Sequence, residues 1–176
     1  MNINGLSHWN FLKTNYIQMK PIEQWLSEYS ESHQNKTNIL IHWICVPLIF
    51  WSIYLMLFSI PFPIPSERTM YFNMGSIVYL LTLIFWFRLN IKVGFFFLAL
   101  GFMMALITII IWTVVFMQLD KALFRGALIL FVLAWIGQFI GHKIEGKKPS
   151  FFKDLQFLLI GPVWLVYKLR YFFSSK

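Results

Sequence analysis

The chain has 176 residues, 59% of them hydrophobic and 12% charged, with 20 Phe and 8 Trp. A soluble domain carries about 25% charged residues, so composition excludes an ordinary soluble fold and predicts one compact integral membrane unit. The net charge of +8 is spread singly over short polar segments with no arginine-rich face, which excludes a nucleic-acid partner, and the single cysteine, Cys45, excludes an intramolecular disulfide or a cysteine metal cluster.

Residues 1–20 are a polar stretch, and the chain up to Asn38 is too polar for a secretory signal. The first apolar run therefore acts as an uncleaved signal anchor. Pro21 to His33 reads as a short amphipathic helix. Proline suits a first turn, and Ile22, Trp25, Leu26 and Tyr29 recur at helical spacing opposite Glu23, Ser27, Glu28 and Glu31. Such a helix lies in the membrane interface, with Trp25 and Tyr29 at headgroup level. A span needs about 20 apolar residues, and four segments qualify: Ile39 to Ile60, Asn73 to Leu89, Val93 to Leu119, and Phe124 to His142. Asn38 is placed to cap the first of them, and the loop PFPIPSER ends it. The second and third form a tight hairpin around Asn90. Leu155 to Tyr167 is too short to span and is interrupted by Gly161-Pro162.

The expectation is an all-α integral membrane protein. It has four transmembrane helices, an N-terminal interfacial helix and a C-terminal re-entrant or interfacial segment, in one domain over residues 21–170 with a tail at 171–176. Four spans put Lys13, Lys20, Lys36, Arg88, Lys92, Lys143, Lys147, Lys148, Lys153, Lys168, Arg170 and Lys176 on one side. Arg68, Lys121 and Arg125 fall on the other. Positive residues favour the cytoplasm, so both termini are expected there, in a bacterial inner membrane or the endoplasmic reticulum.

The chemistry-bearing residues lie at helix ends on that face. His33, His42 and His142 are placed to converge if the first and last spans touch. Intramembrane ionisable residues are functional by default, and imidazole is the commonest metal ligand. A lone interfacial histidine more often serves structure, so it is the convergence that matters. In WIGQFIGHKIEGKKPSF, Gln138, His142 and Glu145 share one helix face. Gly137 and Gly141 beside that face permit close helix contact. Imidazoles without thiolate suit iron, zinc, copper or nickel. Open positions on non-haem iron favour oxygen chemistry, and on zinc, hydrolysis.

The two segments resemble those of the 2-hydroxy fatty acid dioxygenases, the family named for metabolism of phytosphingosine to odd-numbered fatty acids. The matching pieces are Y-x3-H-x4-N-x3-H, from Tyr29 through His33 and Asn38 to His42, followed by Val46-Pro47. The other is Q-x2-GH-x2-E-x3-P, from Gln138 through Gly141-His142 and Glu145 to Pro149. Gly161-Pro162 resembles a late GP of the family. Cys45 departs from the pattern, standing where a glycine is expected before Val-Pro. The resemblance covers roughly residues 22 to 165.

The resemblance implies an Fe(2+)-dependent membrane enzyme of fatty acid α-oxidation. It would take a 2-hydroxy fatty acid and molecular oxygen to a fatty acid one carbon shorter and carbon dioxide. It makes His33, His42 and His142 iron-ligand candidates. Glu145, Gln138 and Asn38 become positioning candidates, with Glu145 also open to direct ligation. The competing readings are a zinc-dependent membrane lipid hydrolase and a non-enzymatic membrane scaffold. A transport role is disfavoured because the second and third spans carry few polar groups, namely Ser76, Thr82, Thr108 and Thr113.

Overall fold

A computed structural model describes residues 21–60, 73–117, 119–146 and 157–174, without the side chains of 169–174. The polar stretch 1–20, the PFPIPSER loop, Pro149, the start of the C-terminal segment and residues 175–176 lie outside the described residues. Every described element is helical: α1 Ile22–Ser30, α2 Lys36–Phe58, α3 Met74–Leu89, α4 Ile91–Ile110, α5 Asp120–Glu145 and α6 Gly161–Ser174. A π-helical turn, Ile111–Val115, extends α4.

Three helices are long and apolar enough to cross a membrane: α2, α4 with its π-turn, and α5. The fourth expected span, α3, has 16 residues. At 1.5 Å per residue it covers about 24 Å of a hydrocarbon core roughly 30 Å thick. Phe102 is 67% and Val114 71% exposed, as lipid-facing side chains should be. Several polar side chains inside the bundle are satisfied internally, as a bilayer favours. Thr82 donates to the Tyr79 carbonyl at 2.7 Å, and Thr113 to the Ile109 carbonyl at 2.8 Å. Trp51 donates its indole N–H to Thr108 at 3.3 Å.

Asn90 makes the hairpin. Its N–H closes α3 on the Trp86 carbonyl. Its side chain then caps α4 by accepting from Lys92 N–H at 2.9 Å. Gly94 and Gly101 lie where a Cβ would collide with the rings of Phe87 and Tyr79, so the two helices pack ring on backbone. Trp86 is fully buried beneath this hairpin. It stacks on Phe97 with ring centroids 3.9 Å apart and donates to the Leu159 carbonyl at 3.1 Å.

Several expectations are corrected. Asn38 does not cap α2. Asn35 does, accepting from Thr37 N–H at 2.9 Å, and Asn38 lies fully buried one turn inside. Asn35 has the extended backbone usual for an N-cap. His33 does not end α1, which stops at Ser30 with Glu31 as its C-cap, and sits in the link to α2. Tyr29 packs inside the protein and not on its surface: it is 6% exposed and stacks on His33. Phe157 is helical, residues 158–160 turn, and Gly161-Pro162 opens α6, so the C-terminal segment does break at this point; a proline in a first turn forfeits no helical hydrogen bond. That helix runs on to Ser174.

The most extensive helix pairing is between α2 and α5, the first and last of the long apolar helices. A Cβ on Gly137 would lie 2.5 Å from Cys45 Sγ, and one on Gly141 would collide with Asn38 Oδ1. The two glycines thus admit a thiol and a carboxamide into the seam.

A candidate metal centre between α2 and α5

Close contact of α2 and α5 brings together three histidines from distant parts of the chain. One ring nitrogen each of His33, His42 and His142 lies within 4.8 Å of the other two, and all three residues are buried. Ring centroids are 4.3 Å apart for His33 and His42, 5.0 Å for His42 and His142, and 5.4 Å for His33 and His142.

Backbone geometry sets the tautomer of two rings. His33 Nδ1 lies 2.6 Å from the Tyr29 carbonyl, and His42 Nδ1 lies 2.9 Å from the Asn38 carbonyl, each four residues back. A carbonyl oxygen can only accept, so the proton sits on Nδ1 and the lone pair on Nε2. A backbone carbonyl behind the distal nitrogen is the usual companion of a metal-bound imidazole, fixing the ring and raising its basicity. The donor set therefore fits a metal ion that accepts neutral nitrogen ligands. Cys45, turned into the Gly137 groove, belongs to the packing of α2 on α5.

His33 has no helix of its own and depends on its neighbours. Its ring stacks on Tyr29, centroids 4.1 Å apart and planes 6° from parallel. Trp164 of α6 packs against both rings and donates its indole N–H to Ser30 Oγ at 2.7 Å. Gly161 makes this possible: a Cβ there would press on Tyr29 Oη at 3.0 Å and on Val46 Cγ1 at 3.3 Å.

Glu145 closes the other side. Its Oε1 accepts from Gln34 N–H and its Oε2 from Asn35 N–H, both at 2.9 Å. The Asn38 carboxamide donates to Oε2 at 2.9 Å and to the Ser32 carbonyl at 3.3 Å. Both oxygens of Glu145 are thus turned to the link that carries His33, and the carboxylate lies outside the histidine group. The negative charge and the N-terminus of α2 attract each other through the helix dipole. Glu145 is the last residue of α5, and Gly146 ends the helix with a left-handed backbone at φ 74°.

A cavity of about 40 Å³ adjoins the three rings, lined by Tyr29, Val46, Trp135 and Gln138 among others. Gln138 is 5% exposed. The structure thus groups His33, His42 and His142 around one point with Gln138 on the cavity wall. Asn38 and Glu145 stand behind them. Sequence reasoning passed over Trp135, Trp164 and Ser30. Trp135 was within reach, because it precedes Gln138 by three residues and His142 by seven, which is one helix face. Trp164 and Ser30 carry no such pattern, since they meet only through the fold.

The model of a protein family described as 2-hydroxy-palmitic acid dioxygenase Mpo1-like matches residues 19–172. The chain is similar to the 2-hydroxy-palmitic acid dioxygenase MPO1 of Saccharomyces cerevisiae (strain ATCC 204508 / S288c), with 27% identity over 148 residues. That alignment covers 83% of this chain and 78% of the relative. No solved structure matches.

Proposed function

The chain belongs to the Mpo1-like family of 2-hydroxy-palmitic acid dioxygenases, and on that premise we propose that it is an Fe(2+)-dependent dioxygenase of fatty acid α-oxidation. The reaction takes a 2-hydroxy fatty acid and one O2 to the fatty acid one carbon shorter, CO2 and water, which balances with no further reductant. The observation that carries the reading is the buried histidine trio, two of whose rings are oriented by backbone carbonyls.

His33, His42 and His142 hold the metal. Bound there, iron supplies a Lewis acid and a redox partner for oxygen. The residues of the chain do the rest. Tyr29, Trp164 and the Glu145 bonds hold the His33 link against α5. Apolar walls at Val46, Ile49, Phe157 and Leu158 keep bulk water from the reacting carbon. The cavity beside the rings holds a polar head and not an acyl chain, so the tail of the substrate runs along apolar helix surface toward the lipid. Four spans, with α3 as the short one, place both termini and the histidines on the cytoplasmic face of a bacterial inner membrane or endoplasmic reticulum. The headgroup end of a lipid lies at that depth.

The test uses purified protein reconstituted in lipid, with metal analysis and turnover of 2-hydroxypalmitic acid. Iron content, O2 consumption and release of CO2 with pentadecanoic acid are expected, and His42→Ala and His142→Ala lose both metal and turnover. Hydrolysis without O2 uptake, or turnover that survives both substitutions, overturns the assignment.

A further inference from the structure

Two polar groups in the cavity wall have no role in holding the histidines. The Trp135 indole N–H is buried and has no hydrogen-bond partner among the described residues. A buried donor left unmade costs about 1–3 kcal/mol, and the Trp135 ring is otherwise held by apolar contacts, packing against Phe131 and Phe139. Gln138, one turn along the same face, is 5% exposed and makes no hydrogen bond to any described residue, although its carboxamide has two donors and two acceptor lone pairs to satisfy. Both residues line the cavity that the three imidazoles share. Apart from the histidines and Tyr29, the rest of the described lining is Val46, Ile49, Phe157 and Leu158, none of which has a polar side chain. Unmet polar groups in a lined cavity beside a reactive centre are what a ligand supplies with partners.

We propose that Trp135 and Gln138 are the recognition residues for the head of the substrate. The Trp135 N–H donates to a carboxylate oxygen, and the Gln138 carbonyl oxygen accepts from the 2-hydroxyl. This assignment rests on the dioxygenase reading and deepens it. The chemistry divides between the two residues. An indole offers a donor alone, which suits an oxygen that every fatty acid carries. A carboxamide offers an acceptor as well, which a carboxylate cannot use and an O–H can. Gln138 therefore distinguishes a 2-hydroxy acid from the unsubstituted acid, because a site built to bond a hydroxyl leaves its own group unpaired when the hydroxyl is missing.

Equilibrium binding of 2-hydroxypalmitate and palmitate to the iron-loaded protein under argon tests this without turnover. The wild type binds the 2-hydroxy acid more tightly. Gln138→Met, which keeps the bulk and removes the carboxamide, lowers that preference by about 10-fold or more at wild-type iron content. Trp135→Phe, which keeps an aromatic ring and removes the N–H, weakens both acids by a similar factor of about 5–10 and leaves the preference intact. A preference unchanged in Gln138→Met, loss of iron in that variant, or unchanged binding in Trp135→Phe overturns the assignment while leaving the dioxygenase reading in place. A wild type that binds both acids equally also overturns the assignment, whereas the dioxygenase reading falls only on the metal and turnover measurements above.

Discussion

Replacing Glu145 by Ala removes three hydrogen bonds that tie the His33 link to the end of α5. Two come from the exposed backbone N–H groups of Gln34 and Asn35, where water substitutes for the lost acceptor. At such sites a net contribution of about 0.5–1.5 kcal/mol per bond is appropriate. The third comes from the buried Asn38 carboxamide, which keeps the Ser32 carbonyl and loses the carboxylate, at about 1–3 kcal/mol. Together these amount to roughly 4 kcal/mol, or about a thousandfold in the opening equilibrium of the link. The effect is local, because α2 and α5 remain packed along the Gly137 and Gly141 seam. Hydrogen exchange is therefore expected to accelerate by roughly that factor in the segment holding Gln34 and Asn35, with little change in the middle of α2. Metal affinity should fall about 10–100-fold, since His33 must be held for the trio to close. Glu145→Gln should be nearly as damaging, because its NH2 replaces an acceptor with a donor facing donors. Unchanged exchange in the link together with unchanged metal affinity in Glu145→Ala would refute this account. A direct ligand role would instead abolish metal binding while leaving exchange in the metal-free protein untouched.

The seam makes a second prediction. Gly137→Ala should destabilise the protein by about 1–3 kcal/mol through overpacking against Cys45 Sγ, and Cys45→Ala in the same chain should recover much of it, as a thermal-unfolding double-mutant cycle will show. Trp86→Ala should cost about 3–5 kcal/mol, whereas Trp86→Phe, losing the bond to the Leu159 carbonyl, should cost about 1–3 kcal/mol; chemical denaturation separates the two. Iron should raise the midpoint of thermal unfolding of the wild type, equivalent to about 2.7 kcal/mol at a free concentration one hundred times Kd, and should leave His42→Ala unmoved.

The long apolar runs were legible because length and hydropathy alone define them, and the Gln138, His142 and Glu145 face followed from helical spacing. The contact of the first and last long helices was legible only as a possibility, since charge counting places ends on one side without making them neighbours. Gly137 and Gly141 carried the missing information, and reading it required knowing that Cys45 and Asn38 face them. Asn38 and Asn35 compete for the same cap, and the winner is decided by tertiary demand: Glu145 and Ser32 recruit the Asn38 side chain away from the backbone. The break at Gly161-Pro162 is legible because proline cannot continue a helix. The same residue suits the first turn of the helix that follows, and the close approach of Gly161 to Tyr29 and Val46 could be seen only in the fold.

The three imidazoles come from opposite ends of the polypeptide, and this has a consequence for biogenesis. At roughly 5–20 residues per second of synthesis, the hundred or so residues from His42 to His142 take about 5–20 seconds to emerge. Throughout that interval Asn38 and His42 wait in the bilayer without the helix that completes their surroundings, and α2 has to be held in place by its own hydropathy. On the proposed function, metal acquisition would be a late event, possible once the last long helix has arrived, and a nascent chain truncated before α5 should insert its early helices and yet carry no iron.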